Sequence, residues 1–227
     1  MKKLPIVKSV TYSVNTKANP MMFGKTTQLL AGTPSISDHF QGMKIKISPD
    51  AFMQLNTAEM AVLYQEVVAK AALVGDETII DCYSGIGLTS LILAKQAKKV
   101  IGIDYSEASI RDAKDNARVN KITNVEFLEG HVESVLPKLL AEKKRPDLII
   151  LDPPRAGLDK KVIKAIIDSK IPKMIYVSCN PSTLAKNLKE FLPVYDLMSI
   201  RPLDMFPQTS NVESISLLTI GKTRGKA

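Results

Sequence analysis

The sequence has no tryptophan, only two cysteines and two histidines, and no apolar run near the roughly 18 residues that a membrane-spanning helix needs. Cys82 and Cys179 lie far apart and at no zinc-type spacing, so neither a disulfide framework nor a metal site is expected. The opening MKKLPIVKSV breaks its short apolar stretch with Pro5 and Lys8. It does not read as a secretory signal, and the cytoplasm is the expected location, with no membrane partner.

What is present is the balance of a folded domain: 227 residues, 45% hydrophobic and 24% charged. The net charge of +8 leaves two readings open, a polyanionic partner or a merely solvated basic surface. Pairs and triplets such as Lys98-Lys99, Lys143-Lys144-Arg145 and Lys160-Lys161 suit either one.

From residue 77 onward, short apolar runs alternate with amphipathic stretches. ETIID (77–81), KVIGID (99–104), VEFLEG (125–130), PDLIILD (146–152) and PKMIYVSC (172–179) read as buried strands. Between them Ser106 caps a helix with Ile110, Ala113 and Ala117 on one face. The alternation predicts an α/β fold, a mostly parallel sheet with helices on both faces. SISLLTIG (214–221), reached through a Pro-rich loop RPLDMFPQT (201–209), is expected to close the sheet as an antiparallel edge or hairpin partner. Residues 1–55 read as a small β-rich segment, with strands in SVTYSVN (9–15) and GMKIKISP (42–49), and 56–227 as the main domain. A helix capped by Thr57 runs to about Ala72 and buries Met60, Leu63, Val67 and Ala71.

DCYSGIGLTS (81–90) follows the first strong strand and leads into a helix. Gly85 and Gly87 allow a tight turn and close approach to a ligand, although a purely structural turn has the same signature. Asp104, ending the next strand, can hold both hydroxyls of a ribose, which favours a nucleoside cofactor. Ser90 stands where a dinucleotide site keeps its third glycine. S-adenosylmethionine has a ribose and no phosphate, so it fits this pattern better.

LDPPRAG (151–157) fixes Asp152 in an extended loop at the carboxyl end of the sheet, as a ligand group or a local cap. Cys179 ends the next strand on the same edge, and Pro181 then starts a helix. Packing would make the thiol inert, whereas a nucleophile there would have its pKa lowered by the helix start. A thiolate adding to C6 of uracil makes C5 nucleophilic toward a methyl donor, and a base must afterwards take the C5 proton. Glu213, just before the last strand, is the candidate base, its alternative being an exposed loop glutamate. Cys82 is read as packing.

ISPDAFMQLN (47–56), DCYSGIG (81–87), LDPPRAG (151–157), YVSCNPST (176–183) and DMFPQTSNVE (204–213), in this order, resemble the RNA uracil-C5 methyltransferases, which make 5-methyluridine in ribosomal or transfer RNA. The resemblance implies a class I, Rossmann-like domain using S-adenosylmethionine. It further implies that Gln54, Tyr83, Asp104 and Asp152 line the cofactor pocket with Gly85 and Gly87. Cys179 would be the nucleophile, Glu213 the general base, and Phe52 a stacking surface for a flipped base. Structured RNA is the implied partner, with 23S ribosomal RNA favoured over transfer RNA, and a monomer is expected. Family members carry an N-terminal TRAM-type barrel and many a cysteine cluster, so these residues are expected to be the catalytic half. The chain departs from the family pattern at Leu88, Asp104 and Asn211. An amino-methyltransferase, a non-catalytic RNA-binding remnant and an NAD-linked oxidoreductase stay as rivals; the first has no need of Cys179.

Overall fold

In the computed structural model, residues 4–16, 27–142 and 145–221 are described. Lys143 and Lys144 of the basic triplet lie outside them. Two antiparallel hairpins come first, β1 (Ser9–Ser13) with β2 (Thr27–Gly32) and β3 (Ile36–Phe40) with β4 (Met43–Ile47). Alternate residues of β4, Met43 and Ile45, are buried against the neighbouring helices, as its period-two pattern requires.

α1 (Thr57–Ala71) follows. It buries the expected Met60, Leu63, Val67 and Ala71, but its cap is Asn56, whose side chain accepts from the amide of Glu59 at 3.3 Å. The expectation of Thr57 as cap is corrected: Asn56 has the extended backbone of a cap, and Thr57 is already helical.

The rest alternates strand and helix: β5 (Thr78–Cys82), α2 (Leu88–Ala94), β6 (Lys99–Asp104), α3 (Glu107–Val119), β7 (Val125–Glu129), α4 (Val132–Ala141), β8 (Leu148–Leu151), α5 (Lys160–Ser169), β9 (Lys173–Ser178), α6 (Pro181–Phe191), β10 (Tyr195–Leu203) and β11 (Glu213–Ile220). The seven-stranded sheet has the order β10-β11-β9-β8-β5-β6-β7. β5 to β9 are parallel, and their central members are apolar on both faces because helices cover both. α1, α2 and α3 pack on one side, α4, α5 and α6 on the other. No helix among the described residues is long and apolar enough to cross a membrane.

Two expectations about the C-terminus change. Residues Arg201-Pro202-Leu203, expected in a loop, end β10, where Pro202 pairs with Ser214. β10 is the outermost strand, and a proline's missing N–H is tolerated on an edge. β11 is therefore no edge; it lies between β9 and β10, antiparallel to both, which makes it the hairpin partner of β10, the other of its two expected roles.

The glycine turn is packed hard against the sheet. Gly87 has φ +81°, and a β-carbon there would sit 2.6 Å from the Phe127 ring and 3.0 Å from Ala113. Gly87→Ala should therefore destabilise the fold by about 3 kcal/mol, combining left-handed strain with overpacking. Urea denaturation measures this; a loss below about 1 kcal/mol would mean that the turn relaxes freely.

Candidate active site

Side chains on a strand alternate between faces, so one face of this sheet can be followed to its carboxyl edge. The face that buries Ile79, Ile150, Val177 and Ile215 under α1 carries, two residues further along each strand toward that edge, Asp81, Asp152, Cys179 and Glu213. The last registered pair between β9 and β11 is Ser178 with Ser214. One step beyond it come Cys179, just past the end of β9, and Glu213, the first residue of β11, whose carboxylate acts on the thiol. The ladder brings together two residues 34 apart in sequence (213 − 179).

The loops around this pair are tied by Arg155. Its carbonyl accepts from the Asn180 amide group and the Thr183 hydroxyl, each at 3.3 Å, and its guanidinium donates to Asn211 at 3.2 Å. Residues 151–157, 176–183 and 204–213 thus meet at one residue, through its carbonyl and its guanidinium.

The electrostatics differ from expectation. Asn180 caps α6 and accepts from the amides of Ser182 and Thr183 at 3.0 and 3.4 Å, so these helix N–H groups are engaged with Asn180. The half-buried Cys179 thiol is pushed up by burial, then by the carboxylates of Glu213 and Asp152, with Arg155 opposing. The expected lowering by the helix start is corrected accordingly. Glu213, 3% exposed, is pushed up to about 6 by burial. Asp152 is held well above the carboxylate range by burial, Glu213 and Asp81. Asp81 is pushed to about 7 by burial, with the Ser90 hydroxyl, donating at 2.6 Å, working against it and Asp104 adding to it. Cys82 is fully buried in the core, with its thiol pushed far up by that burial.

A second cluster lies along the same edge. Tyr83 has φ +65° and donates its hydroxyl to Glu133 at 3.2 Å. Asp104 accepts from the amides of Gly85 and Ser106, both at 2.9 Å, one on each oxygen, which leaves acceptor capacity on both. Gly85 has φ +53°, and a β-carbon there would meet only the Phe52 carbonyl, at 4.0 Å. The space beside the turn is open and is bordered by the 51–56 loop. Phe52 is 68% exposed on that loop, Gln54 is half-buried, and Asn56 donates to the Met205 carbonyl at 3.1 Å. An open glycine turn beside a carboxylate with free lone pairs suits a neutral nucleoside better than a diphosphate.

Three side chains here carried no role in the sequence reading. Arg155 lies in a motif that drew attention to Asp152. Asp81 sits in an apolar run. Tyr64 of α1 lies on a helix face that periodicity reads as packing, yet its hydroxyl is pushed up by burial and by Asp152 and Asp81. Among the described residues, no group of three His, Cys, Asp or Glu side chains could hold a metal ion.

A family model described as tRNA (Uracil-5-)-methyltransferase matches residues 27–220. The chain belongs to that family. A protein of Enterococcus faecalis described as an uncharacterized RNA methyltransferase is 40% identical over 220 residues, covering 96% of this chain and 48% of the relative. One of Listeria monocytogenes, similarly described, is 43% identical over 217 residues, covering 96% and 47%. The chain spans about half the length of these curated relatives. The solved Pyrococcus abyssi tRNA (uracil-54, C5)-methyltransferase, in complex with S-adenosyl-L-homocysteine, superposes with a TM-score of 0.76 at 31% identity, covering 93% of this chain and 51% of that one.

The raised Glu213 has a consequence for stability. A carboxyl whose folded pKa is about 6 against an ordinary 4.5 favours the native state fully below 4.5 and loses that contribution as pH rises through 6. Glu213→Gln should therefore be more stable than the wild type at pH 8 by about 2 kcal/mol, with the difference vanishing near pH 4. Denaturant titrations at the two pH values measure it; equal stability at pH 8 would contradict a buried, ionised Glu213.

Proposed function

We propose that this chain is the catalytic part of an S-adenosylmethionine-dependent RNA (uracil-5-)-methyltransferase that methylates C5 of a uridine in structured RNA. The observation that carries the reading is a half-buried thiol just past β9 beside a buried carboxyl at the start of β11, on one edge of the sheet. An amino-methyltransferase would have no use for that pair.

The glycine turn, open at Gly85 and packed against Phe127 at Gly87, with Asp104, Tyr83, Gln54 and Asp152 around it, is the proposed cofactor site. S-adenosylmethionine supplies an electrophilic methyl group there. Cys179, as thiolate, forms a bond to C6 of the uracil, and the C5–C6 π pair moves toward C5 and O4. Arg155 is the cation that favours ionisation of the thiol. After C5 has taken the methyl group, with the sulfonium C–S bond broken and S-adenosylhomocysteine as the leaving group, Glu213 removes the C5 proton, the C5–C6 double bond re-forms, and the C6–S bond breaks. A carboxyl poised near 6 is largely ionised at neutral pH while remaining basic enough for that task. The exposed ring of Phe52 offers a stacking surface to a base drawn out of its helix.

The net charge of +8 fits an RNA partner. Ribosomal RNA, and 23S in particular, is the substrate we favour from the motif pattern; the transfer RNA named for the Pyrococcus abyssi enzyme and in the family description supports the second reading. The same reading carries a cytoplasmic monomer in which residues 1–55 are a small β-rich segment and 56–227 the methyltransferase domain. Labelled S-adenosylmethionine with unmodified total RNA, followed by fractionation, decides the RNA class by which fraction carries 5-methyluridine.

Cys179→Ala should lose methyl transfer by on the order of a thousandfold or more while S-adenosylhomocysteine binds within about twofold of wild type. Turnover at the wild-type rate would sink the covalent route. Glu213→Gln should accumulate a methylated RNA-protein adduct on denaturing gels, and normal product without adduct would remove Glu213 from the role of base.

A further inference from the structure

Two polar side chains of α3, Asp112 and Asn116, and its C-cap residue Asn120 bind β4 and the residue after it as though they were a neighbouring strand. Asn120 accepts from the Lys44 amide at 3.0 Å and donates to the Lys44 carbonyl at 2.8 Å. Asn116 accepts from the Lys46 amide at 2.7 Å and donates to the Lys46 carbonyl at 3.2 Å. Asp112 accepts from the Ser48 amide at 2.6 Å and from its hydroxyl at 2.8 Å. The spacing works because four helical residues advance about 6 Å and two strand residues about 6.8 Å. Helix positions i, i+4 and i+8 therefore keep step with alternate strand positions.

Asn116 differs from the other two. Buried like Asp112, it has an amide group that also donates to the Ile86 carbonyl at 3.2 Å, inside the glycine turn. One side chain thus joins three elements: α3, the strand that leads into the 48–56 loop, and the turn between Gly85 and Gly87. The loop carries Phe52 and Gln54, and its Phe52 carbonyl borders the open space at Gly85.

We propose that Asn116 is a positioning residue that fixes the 48–56 loop relative to the glycine turn and so sets the width of the nucleoside site. The ligand named here rests on the methyltransferase reading; the coupling of loop and turn does not. Asn120 is the control, because it makes the same two-point contact with β4 and has no bond to the turn.

The test compares wild type with Asn116→Ala, the milder Asn116→Ser, and Asn120→Ala, at a temperature where each is folded by circular dichroism. Amide hydrogen exchange should rise at least tenfold at both Gly85–Gly87 and the 50–56 loop in the Asn116 variants, and by less than threefold in Asn120→Ala. Calorimetric titration with S-adenosylhomocysteine should show a Kd raised tenfold or more in the Asn116 variants and within twofold of wild type in Asn120→Ala. Exchange that rises equally in Asn116 and Asn120 variants would overturn the proposal, as would unchanged affinity in a folded Asn116 variant. Failure of both Asn116 variants to fold, with Asn120→Ala folded, would make the residue structural only and overturn it too. Wild-type protein that does not bind S-adenosylhomocysteine would instead count against the cofactor assignment, and the exchange data would still decide the coupling.

Discussion

The antiparallel ladder between β9 and β11 is the constraint on which the site depends. A parallel strand in β11's place would put its first residue at the far edge of the sheet, away from Cys179. Because β11 runs backwards, its beginning meets the end of β9, and Glu213 comes beside Cys179. Register matters as much as direction. A slip of one residue would turn Glu213 to the opposite face and bring a serine or a valine into its place. The apolar pairs behind it, such as Val177 with Ile215, hold the register because they are buried under α1.

That edge gathers Asp81, Asp152 and Glu213 around a thiol, and Arg155 is the cation that acts on the thiol. Burial pushes all three carboxyls up, and at Asp152 repulsion from Glu213 and Asp81 adds to it, so the folded chain carries a cost there that a purely structural edge would avoid. Concentrating perturbed groups at the end of otherwise apolar strands is the pattern expected of a reacting site. The rest of the fold makes it sustainable: the core strands are fully buried, and the loops bearing the site are tied to one another through Arg155, Asn56 and Asn116.

Much of this was legible in the sequence because it is local. Doubly covered parallel strands announce themselves as apolar runs, and the helix faces at Met60–Ala71 and Ile110–Ala117 follow simple periodicity. β10 escaped notice because its exposed edge mixes polar residues with Pro202. The burial of Asp112 and Asn116 was equally hidden, since their partners lie in β4, 64 and 70 residues away. The direction of the Cys179 shift depended on two facts with no local signal: the thiol is half-buried, and Glu213 arrives from another strand. The candidate residues could be named from motifs, whereas their relations needed the register of the sheet.

The covalent partnership at the sheet edge is tested most directly with RNA carrying 5-fluorouridine in place of uridine. Fluorine at C5 cannot leave as a proton, so the methylated adduct should persist after incubation with S-adenosylmethionine. Digestion and mass spectrometry should then find the fluorinated, methylated nucleotide on the peptide containing Cys179. An adduct on any other residue, or full methylation activity toward ordinary RNA with no adduct at all, would contradict the account.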